Sequence, residues 1–442
     1  MIKLPEQVNK AICLLKNSGF EAYAVGGAVR DCLLGKVPFD WDITTSARPE
    51  ETEKVFCGER IIETGIKHGT VTVIIDDMPL EITTYRIDGD YTDHRHPQTV
   101  SFSDNLRDDL SRRDFTINTL CCNCDDKIID VFGGKDDLNN KTIRCVGDPD
   151  TRFSEDALRI MRAVRFSAEL GFTIEKSTSD IILKNRRLLS DVSKERLQVE
   201  FTKLITGKYA TDVIRKYHAV IEVFIPELAP LVGCEQHTKY HKYDVFEHTL
   251  HAVDAIDFND RILRLTMFFH DFGKPDAKTT DENGTSHFKG HAVISEKKTR
   301  DILKRLKFDN NTINEVSKLV LIHDMKSPRD KIQAKKMMCS LGDETYLNLI
   351  KIKRADNMAK ADPHAIDEKL KNMRSFYEEI KINNECYNLK SLAVNGDDIK
   401  AFGIAEGKEI KSSLDFLLNG VIEGKCQNRK DVLLEYLKEN TK

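Results

Sequence analysis

The sequence predicts an α+β domain at the N-terminus followed by a helical remainder. Residues 1 to about 140 mix short β-branched runs, TVTVII at 70–75, LEITTYR at 80–86 and IIDVFG at 128–133, with glycine-rich turns. Beyond residue 150 the apolar residues recur at helical spacing, and beyond 230 the histidines cluster. A chain of 442 residues is too long for one core and indicates about three domains.

The composition is that of a folded protein, with 40% hydrophobic and 32% charged residues. No uncharged apolar run of about eighteen residues and no apolar signal segment occurs, so we expect a cytoplasmic protein without a membrane span. The 11 cysteines are mostly single, which suits reduced thiols. The run CCNC at 121–124 continues an apolar strand pattern, which favours a buried strand over a zinc site.

The first constellation is a glycine turn followed by two acids. Gly26 and Gly27 precede the short helical stretch AVRDCLLG, where backbone N–H groups and the helix dipole attract phosphate. Asp40 and Asp42 lie two apart in the strand-like FDWDIT, so both carboxylates leave one face, about 7 Å apart at Cα. Such a pair favours a divalent metal over a solvated strand edge. With Glu81 in LEITTYR as a third carboxylate, two Mg²⁺ ions about 4 Å apart fit.

The stretch RRDFTIN at 112–118 combines two guanidinium groups with an acid and an amide. Arg112 and Arg113 suit bidentate contacts to phosphate oxygens, and Asp114 or Asn118 suits a ribose hydroxyl. The alternative is an ordinary surface Arg–Asp salt bridge, which is worth under about 1 kcal/mol.

A helix is predicted from the N-cap candidate Ser154 to the stop at Gly171. Asp156 and Arg159, three apart on one face, would present an acceptor beside a donor. Cytosine and adenine share the complementary edge, whereas guanine and uracil place a carbonyl where the amino group stands. The pair therefore predicts selection of C and A without a template, with an i, i+3 salt bridge as the alternative.

The histidine-rich part carries a second constellation. His248 lies in the amphipathic DVFEHTLHAVDAID, and His270-Asp271 ends a strongly apolar helix, where burial is costly unless the pair binds something. His287 and His291 are four apart and are expected to share a helix face. Nitrogen and oxygen ligands favour Mg²⁺, Mn²⁺, Fe or Ni²⁺ over structural Zn²⁺.

Four motifs in order, GGAVRD with DWD, RRDFTIN, EDALR at 155–159 and SKERL at 193–197, resemble the class II tRNA nucleotidyltransferases, the CCA-adding enzymes with their bacterial poly(A) polymerase relatives. The resemblance covers residues 20 to 210. It implies a polymerase-beta-like nucleotidyltransferase head with a mixed sheet, and Mg²⁺ on Asp40 and Asp42. The nucleotide-binding residues it implies are Gly26, Gly27, Arg30, Arg112, Arg113, Asp114, Asn118, Asp156 and Arg159.

The histidine-rich part resembles the HD metal-dependent phosphohydrolases. His248, His270, Asp271 and Asp356 match the H, HD, D pattern, and His291 and His323 would complete a second metal site. The resemblance implies metal-assisted hydrolysis of a phosphoester. A degenerate HD fold that only supports RNA is the alternative.

The resemblance divides the chain into a head (1–140), a helical neck (141–210), a helical body with the HD domain (211–370) and a C-terminal arm (371–442). The segment from Lys184 to Lys208 contains seven Lys or Arg and only three acidic residues. These residues and the arm would bind tRNA phosphates at the acceptor stem and elbow without reading bases. CTP and ATP are the other partners implied, and no obligate protein partner is evident.

Three rival functions stay open at this point. The first is an enzyme that adds only A to tRNA, or a poly(A) polymerase; the others are an HD phosphohydrolase with a vestigial head and a purely RNA-binding protein. The polar stretch from Tyr85 to Phe102 resembles the flexible loop of the family and argues against an enzyme that adds only CC.

Overall fold

The computed structural model describes residues 2–65, 69–89, 99–404 and 407–440. It divides into two compact units, Met1–Ala229 and Pro230–Lys442. The division into head, neck, body and arm stays a prediction. No helix in the described ranges has the length and hydropathy of a membrane span.

Among the described residues, the first unit contains eleven strands and ten α-helices. Its strands are β1 (Ala22–Val25), β2 (Asp42–Thr45), β3 (Arg60–Gly65), β4 (Thr70–Ile75), β5 (Met78–Thr84), β6 (Arg86–Asp88), β7 (Val100–Phe102), β8 (Cys121–Cys122), β9 (Ile128–Ile129), β10 (Thr142–Ile143) and β11 (Thr173–Ile174). Its helices are α1 (Glu6–Asn17), α2 (Gly27–Leu33), α3 (Pro49–Val55), α4 (Leu106–Ser111), α5 (Gly134–Asn139), α6 (Pro149–Glu155), α7 (Leu158–Leu170), α8 (Lys176–Asn185), α9 (Lys194–Ile205) and α10 (Ala210–Ile221).

The main sheet of this unit is mixed, as the resemblance implies. Its order is β3-β4-β5-β2-β1-β8-β9, with β2 and β5 parallel and the other pairs antiparallel. Val71, Val73 and Ile75 alternate with less buried residues along β4, so one face packs on the core. Cys121 and Cys122 are buried in β8, which confirms the strand interpretation of CCNC.

The second unit is almost entirely helical. Its helices are α11 (Val245–Asp254), α12 (Arg261–Phe269), α13 (Lys274–Ala277), α14 (His291–Arg305), α15 (Asn310–Ile322), α16 (Lys331–Leu341), α17 (Asp343–Met358), α18 (Asp367–Ile382), α19 (Gly396–Ala401), α20 (Lys408–Ile422) and α21 (Lys430–Asn440), and a short hairpin joins β12 (Thr279–Thr280) to β13 (Ser286–His287). Leu417, Leu433 and Leu437 form part of a separate apolar cluster near the C-terminus.

Several predicted elements are confirmed and others are shorter than expected. The run at 70–75 is β4, and LEITTYR forms most of β5, whereas IIDVFG contributes only β9. The helix predicted from Ser154 is wrong in its start, because α6 ends at Glu155 and α7 begins at Leu158. Gly171 ends α7 with φ 70°, as its stop signal indicates.

Candidate functional sites

Asp42 and Glu81 occupy neighbouring parallel strands at the same level. Asp42 is the first residue of β2 and is in register with Glu81 of β5. Both side chains are exposed, whereas Ile43 and Ile82, the next residues on each strand, are buried. Residues in register on neighbouring strands point to the same side, so the two carboxylates share one face of the sheet. Paired strands lie about 4.8 Å apart, which brings the two groups close together. This is the placement that the sequence predicts for the third carboxylate.

Asp40 lies just before the sheet rather than inside a strand. The prediction of a strand through FDWDIT is wrong at its start, because β2 begins at Asp42. Trp41 is buried between the two exposed acids, so the side chains still alternate and Asp40 is on the outer side with Asp42.

Asp42 keeps solvent-accessible surface, yet the protein atoms packed around its carboxylate desolvate it and raise its pKa to about 6. Arg113 lowers the pKa of Asp42, while the charges of Glu81 and Asp40 raise it. Three neighbouring negative charges repel one another, and a divalent cation among them offsets that repulsion. The donor set therefore fits Mg²⁺, which prefers oxygen ligands.

Gly26 is the residue that lets the backbone approach this site. Its φ is 83°, and a Cβ atom there would lie 3.1 Å from Nη1 of Arg113 and 3.8 Å from Oδ2 of Asp42. Gly27 opens α2, a helix of only seven residues. The expected contribution of the α2 dipole is correspondingly small. The close approach of the Arg113 and Asp42 side chains explains why residue 26 is glycine.

Arg112 and Arg113 are anchored by a buried acid that the sequence reasoning missed. Oδ1 of Asp109 accepts hydrogen bonds from Nε and Nη2 of Arg112 at 2.9 and 2.6 Å, and Oδ2 lies 3.6 Å from Arg113. Thr44 donates a further hydrogen bond to Asp109 at 2.9 Å. Burial raises the pKa of Asp109, but the two guanidinium groups hold it below its ordinary value. The i, i+3 spacing in DDLSRR was the available signal.

Asp114 and Asn118 lie in a buried network rather than at an open surface. Oδ1 of Asp114 accepts hydrogen bonds from Nδ2 of Asn118 at 3.0 Å, and Oδ2 accepts one from Nε of Arg162 at 2.8 Å. Arg30 donates to Oδ1 of Asn118 at 2.7 Å and packs 4.9 Å from the centroid of Phe166. Burial opposes ionisation, but Arg162 and Asn118 lower the pKa of Asp114 to about 2. The roles of Arg30, Asp114 and Asn118 in nucleotide binding stay predictions.

Asp156 and Arg159 are near each other but do not share a helix face, so that prediction is wrong. Asp156 has an extended backbone between α6 and α7, and its Oδ1 accepts a hydrogen bond from the N–H of Leu158 at 3.1 Å. This side-chain bond competes with a continuous helix.

Each of the two side chains is held by a different partner. Nη2 of Arg196, in α9, lies 3.2 and 2.9 Å from the two Asp156 oxygens. Arg159 donates to Glu155 at 2.6 Å and to the carbonyl oxygen of Arg112 at 2.7 Å. Arg196 belongs to the SKERL motif, but its partner could not be read from the sequence.

The second unit brings the predicted histidines and acids into one buried centre. Nε2 of His248 lies 3.0 Å from Asp356 and 3.4 Å from Asp271, and Nε2 of His270 lies 3.1 Å from Asp271. On the other side of Asp271, its Oδ1 lies 3.3 Å from His291 and 3.8 Å from His323. Asp271 thus joins two groups of candidate ligands.

The second ring nitrogen of each histidine is bonded to a main-chain carbonyl. Nδ1 of His248 lies 3.2 Å from the carbonyl oxygen of Ala359, and Nδ1 of His270 lies 2.6 Å from that of Met267. Nδ1 of His291 lies 2.9 Å from the carbonyl oxygen of Phe288, and Nδ1 of His323 lies 2.6 Å from that of Val320. A carbonyl oxygen only accepts, so Nδ1 carries a proton and Nε2 is the nitrogen that faces the centre and can bind a metal. This arrangement is typical of histidines that bind a metal.

The acids of the centre also fit a cation. Burial raises the pKa of Asp271, but His270 and Lys274 hold it well below its ordinary value, so the carboxylate is ionised. Nζ of Lys274 forms an ion pair with Oδ2 of Asp271 at 2.7 Å, whereas Oδ1 is buried without a hydrogen bond among the described residues. Lys360 pairs with Asp356 at 2.6 Å. A divalent metal would satisfy the Asp271 oxygens.

His287 does not join this centre, so the prediction of a shared helix face is wrong. It lies in β13, is exposed and contacts Asp281 at 2.9 Å. Gly290 has φ 80° and starts α14 at His291, so the two histidines belong to different elements. His241, which the sequence left without a role, packs its ring 5.3 Å from that of His248. Residues 90–98 of the polar stretch from Tyr85 to Phe102 lie outside the described residues.

Comparisons with known proteins match most of the chain. Residues 22–144 match the poly A polymerase head domain, residues 171–231 the probable RNA and SrmB-binding site of polymerase A, and residues 279–437 the putative domain 2 of tRNA nucleotidyltransferase. The CCA-adding enzyme of Bacillus velezensis is 34% identical over 96% of this chain and 95% of its own length. The CCA-adding enzyme of Geobacillus kaustophilus is 33% identical over 99% of this chain and 97% of its own length.

Solved structures agree with these relatives. The crystal structure of the Bacillus stearothermophilus CCA-adding enzyme in complex with CTP has a TM-score of 0.68 and 30% identity, covering 98% of this chain and 96% of that one. The Thermotoga maritima CCA-adding enzyme complexed with tRNA has a TM-score of 0.64 at 21% identity, covering 100% and 97%, and supports the fold.

The mixed sheet with its paired carboxylates, together with these similarities, defines a nucleotidyltransferase, as the four motifs predict. Enzymes of this class depend on a divalent metal. The chain belongs to the family of CCA-adding enzymes.

Proposed function

We propose that this protein adds the 3′-terminal CCA to tRNA, with CTP and ATP as the nucleotide substrates. The observation that carries the proposal is Asp42 in register with Glu81, beside Gly26 and Arg113. The CTP complex of the Bacillus stearothermophilus relative supports the choice of nucleotide. Because these substrates are found in the cytoplasm, we place the activity there.

Asp40, Asp42 and Glu81 would hold Mg²⁺. The metal, when bound, lowers the pKa of the attacking hydroxyl and offsets triphosphate charge. The terminal 3′ hydroxyl of the tRNA loses its proton to solvent and its oxygen forms a bond to the α-phosphorus. The bond from the α-phosphorus to the oxygen that bridges to the β-phosphate breaks, and pyrophosphate leaves with that electron pair. Arg112 and Arg113, held by Asp109, bind the triphosphate oxygens, and Gly26 leaves room for the backbone to approach them.

Asp156 and Arg159 would select the base. The exocyclic amino group of C or A donates a hydrogen bond to the carboxylate of Asp156, and Arg159 donates one to the ring nitrogen beside that amino group. Arg196 and Glu155 orient these two side chains through the bonds that they already make. Asp114, Asn118 and Arg30 would support the ribose and the sugar-side wall of the same site.

The basic residues between Lys184 and Lys208 and the last helix, α21, would bind tRNA phosphates at the acceptor stem and elbow. The tRNA complex of the Thermotoga maritima relative supports tRNA as the partner. Contacts of this kind are independent of sequence and weaken with salt.

A tRNA that ends before CCA, incubated with CTP alone, tests the main proposal. Addition of two C residues, followed by one A when ATP is supplied, is the expected result. No addition of C would contradict it and would favour an A-only enzyme or a poly(A) polymerase. Gel analysis of tRNAs ending before CCA, after C and after CC, with each nucleotide alone and mixed, separates these cases.

A second activity is favoured by the centre of the second unit. We propose that it is an HD-type metal phosphohydrolase centre, with His248, His270, Asp271 and Asp356 around one divalent ion and Asp271, His291 and His323 around another. Mg²⁺, Mn²⁺, Fe and Ni²⁺ all suit this donor set, and the metal would activate water toward a phosphoester. The His Nε2 nitrogens that face the centre, fixed by carbonyl bonds at Nδ1, carry the proposal.

Paired substitutions separate the two activities. Asp42→Asn should abolish CMP addition and leave phosphohydrolysis intact, whereas Asp271→Asn should do the reverse. A phosphohydrolase with a vestigial head would keep its hydrolytic activity in Asp42→Asn. It would add no CMP in the parent protein or in either variant. A purely RNA-binding protein would show neither activity and would bind tRNA equally in both variants.

A further inference from the structure

A cavity of about 540 Å³ lies against the histidine–aspartate centre of the second unit. Its wall includes Asp356, which contacts His248, and His323, which contacts His291. The cavity therefore reaches both groups of candidate ligands. Its volume is in the range of sites that bind a whole small molecule, and too small for a folded RNA.

The wall of this cavity is unusually rich in cations. Five basic side chains line it against three acidic ones, namely Lys326, Arg329, Lys353, Lys360 and Lys369 against Asp324, Asp356 and Glu368. Lys360 already pairs with Asp356. Lys326, Arg329 and Lys369 make no ion pair within the described ranges, and Lys353 makes only a long contact of 3.4 Å to the carbonyl oxygen of His323.

The charges of the wall do not balance. Five positive side chains lie beside three negative ones, and a bound anion would offset the excess. The three unpaired cations, hereafter the outer cations, are Lys326, Arg329 and Lys369, and none of them contacts the carboxylates of the centre in the described contacts.

The lining residues also indicate what the cavity does not recognise. Among the described residues of its wall there is no phenylalanine, tyrosine or tryptophan, the one imidazole is the buried ring of His323, and the apolar residues are Met325, Pro328 and Ile366. Stacking on an aromatic ring is the usual way to bind a nucleobase. Lysine and arginine side chains are instead the usual partners of phosphate.

We propose that this cavity binds a small molecule with two phosphate groups, one presented to the histidine–aspartate centre and the other bound by Lys326, Arg329 and Lys369. That the first phosphate is an ester to be hydrolysed rests on the proposed phosphohydrolase function. Binding of the second phosphate does not, because it depends only on the outer cations. Because the described wall has no phenylalanine, tyrosine or tryptophan and the His323 ring is buried, the organic part, a nucleoside or a sugar, is bound without strong selection.

Calorimetric titration of the full chain loaded with Mn²⁺ tests binding directly, with phosphate release measured in parallel so that heat from turnover can be subtracted. The probes are adenosine 3′,5′-bisphosphate, cytidine 3′,5′-bisphosphate, fructose 1,6-bisphosphate and the matching monophosphates. We expect each bisphosphate to bind at least about tenfold more tightly than its monophosphate, because each bond to a charged donor is worth a factor of that order. The two nucleoside bisphosphates should agree within about threefold, since no stacking partner distinguishes the bases.

The triple variant Lys326→Ala, Arg329→Ala, Lys369→Ala should lose the preference for bisphosphates. The nucleotidyltransferase head is unaltered in this variant, so the difference from the parent protein isolates the cavity. Lys369→Arg alone keeps the charge and should keep the preference. Lys304→Ala, which removes an exposed cation from α14 outside the cavity wall, is the matched control and should bind all probes as the parent does.

Equal binding of bisphosphates and monophosphates, or an unchanged preference in the triple variant, would overturn the inference. Tight binding of nucleoside bisphosphates but not of fructose 1,6-bisphosphate would overturn its claim about the organic part. Hydrolysis of p-nitrophenyl phosphate, measured with Mg²⁺, Mn²⁺, Fe²⁺ and Ni²⁺ in turn, reports separately on the proposed function. Hydrolysis without a preference for bisphosphates would contradict only the proposed bisphosphate site. A preference for bisphosphates without hydrolysis would contradict only the proposed phosphohydrolase function.

Discussion

One nitrogen of Arg196, Nη2, lies 2.9 and 3.2 Å from the two carboxylate oxygens of Asp156. Arg196 is on α9, whereas Asp156 lies in the break between α6 and α7. The contact therefore ties a residue of the proposed base-reading pair to a separate helix. Because hydrogen-bonded selection depends on the direction of the acceptor, Arg196 is a positioning residue for base choice.

Arg196→Ala should lower the ratio of CMP to UMP addition about tenfold or more, because the Asp156 carboxylate loses its orientation. Arg196→Lys keeps the charge with a different donor geometry and should give an intermediate ratio. The measurement is single-nucleotide extension of tRNA lacking CCA, with the pyrophosphate yield as a second readout. Arg187→Ala removes an exposed cation of the same region and should leave the ratio unchanged. Equal ratios in Arg196→Ala and the parent would show that Arg196 does not orient the base-reading pair.

Gly26→Ala should destabilise the protein and reduce its nucleotidyltransferase activity. The positive φ of 83° is strained for alanine, and the new Cβ would press on Arg113 at 3.1 Å. The combined cost is about 1–3 kcal/mol. The control is Gly27→Ala, where the nearest side-chain atom, Nη2 of Arg30, lies at an ordinary 3.7 Å. Thermal unfolding of the two variants, compared under one buffer, checks the difference, and equal midpoints would contradict the account.

Asp42→Asn should reduce CMP addition by at least about a thousandfold, because it removes a ligand charge that a divalent metal needs. Glu81 is in register with Asp42, and Glu81→Gln should lower the activity less than Asp42→Asn does. The control is Asp136→Asn, which changes an exposed acid of α5 and should have the smallest effect of the three. Initial rates at several Mg²⁺ concentrations provide the measurement. An Asp42→Asn protein with near-parental rates at saturating Mg²⁺ would remove this residue from the site.

The sequence predicted the strands and the acids that lie on them better than it predicted side-chain partners. Alternation placed β4 and brought Glu81 to the correct position, because period-two patterns fix which face a residue occupies. The break after Glu155 was missed because the Asp156 side chain bonds the N–H of Leu158, and propensity does not record this competition. Likewise, the αL conformation of Gly290 separates His287 from His291.

The buried centre was predicted through its residue types rather than its geometry. All six residues assigned to it lie together, since an apolar helix that ends in His-Asp must place both groups in the core. The lysines that pair with its acids, Lys274 and Lys360, were not predicted, although each lies three or four positions after its partner. Long-range contacts such as Asp109 with Thr44 depend on tertiary packing and leave no local pattern.

Asp114 should contribute to acid stability in a defined pH window. Its folded pKa is about 2 against an ordinary value of 3.8, so its contribution is complete above pH 4 and is lost as the pH falls toward 2. A shift of this size corresponds to about 2 kcal/mol. The free energy of unfolding, measured against pH for the parent and Asp114→Asn, should show a shallower fall in the variant between pH 4 and 2. Parallel curves would assign the acid sensitivity to other carboxyls.

Asp271→Asn should remove metal from the second unit without affecting CCA addition. Asp271 is the residue that both candidate ligand groups share, and asparagine replaces its charged oxygen with an amide nitrogen that binds no metal. Metal content of the protein, measured by plasma emission after dialysis against Mn²⁺, should fall by about two ions per chain, while CMP addition in Mg²⁺ stays near the parental rate. His287→Asn is the control, since His287 lies outside the centre and contacts Asp281 instead. Unchanged metal content in Asp271→Asn would show that the buried histidines do not hold a metal through Asp271, and a parallel loss of CMP addition would show that the two activities are not independent.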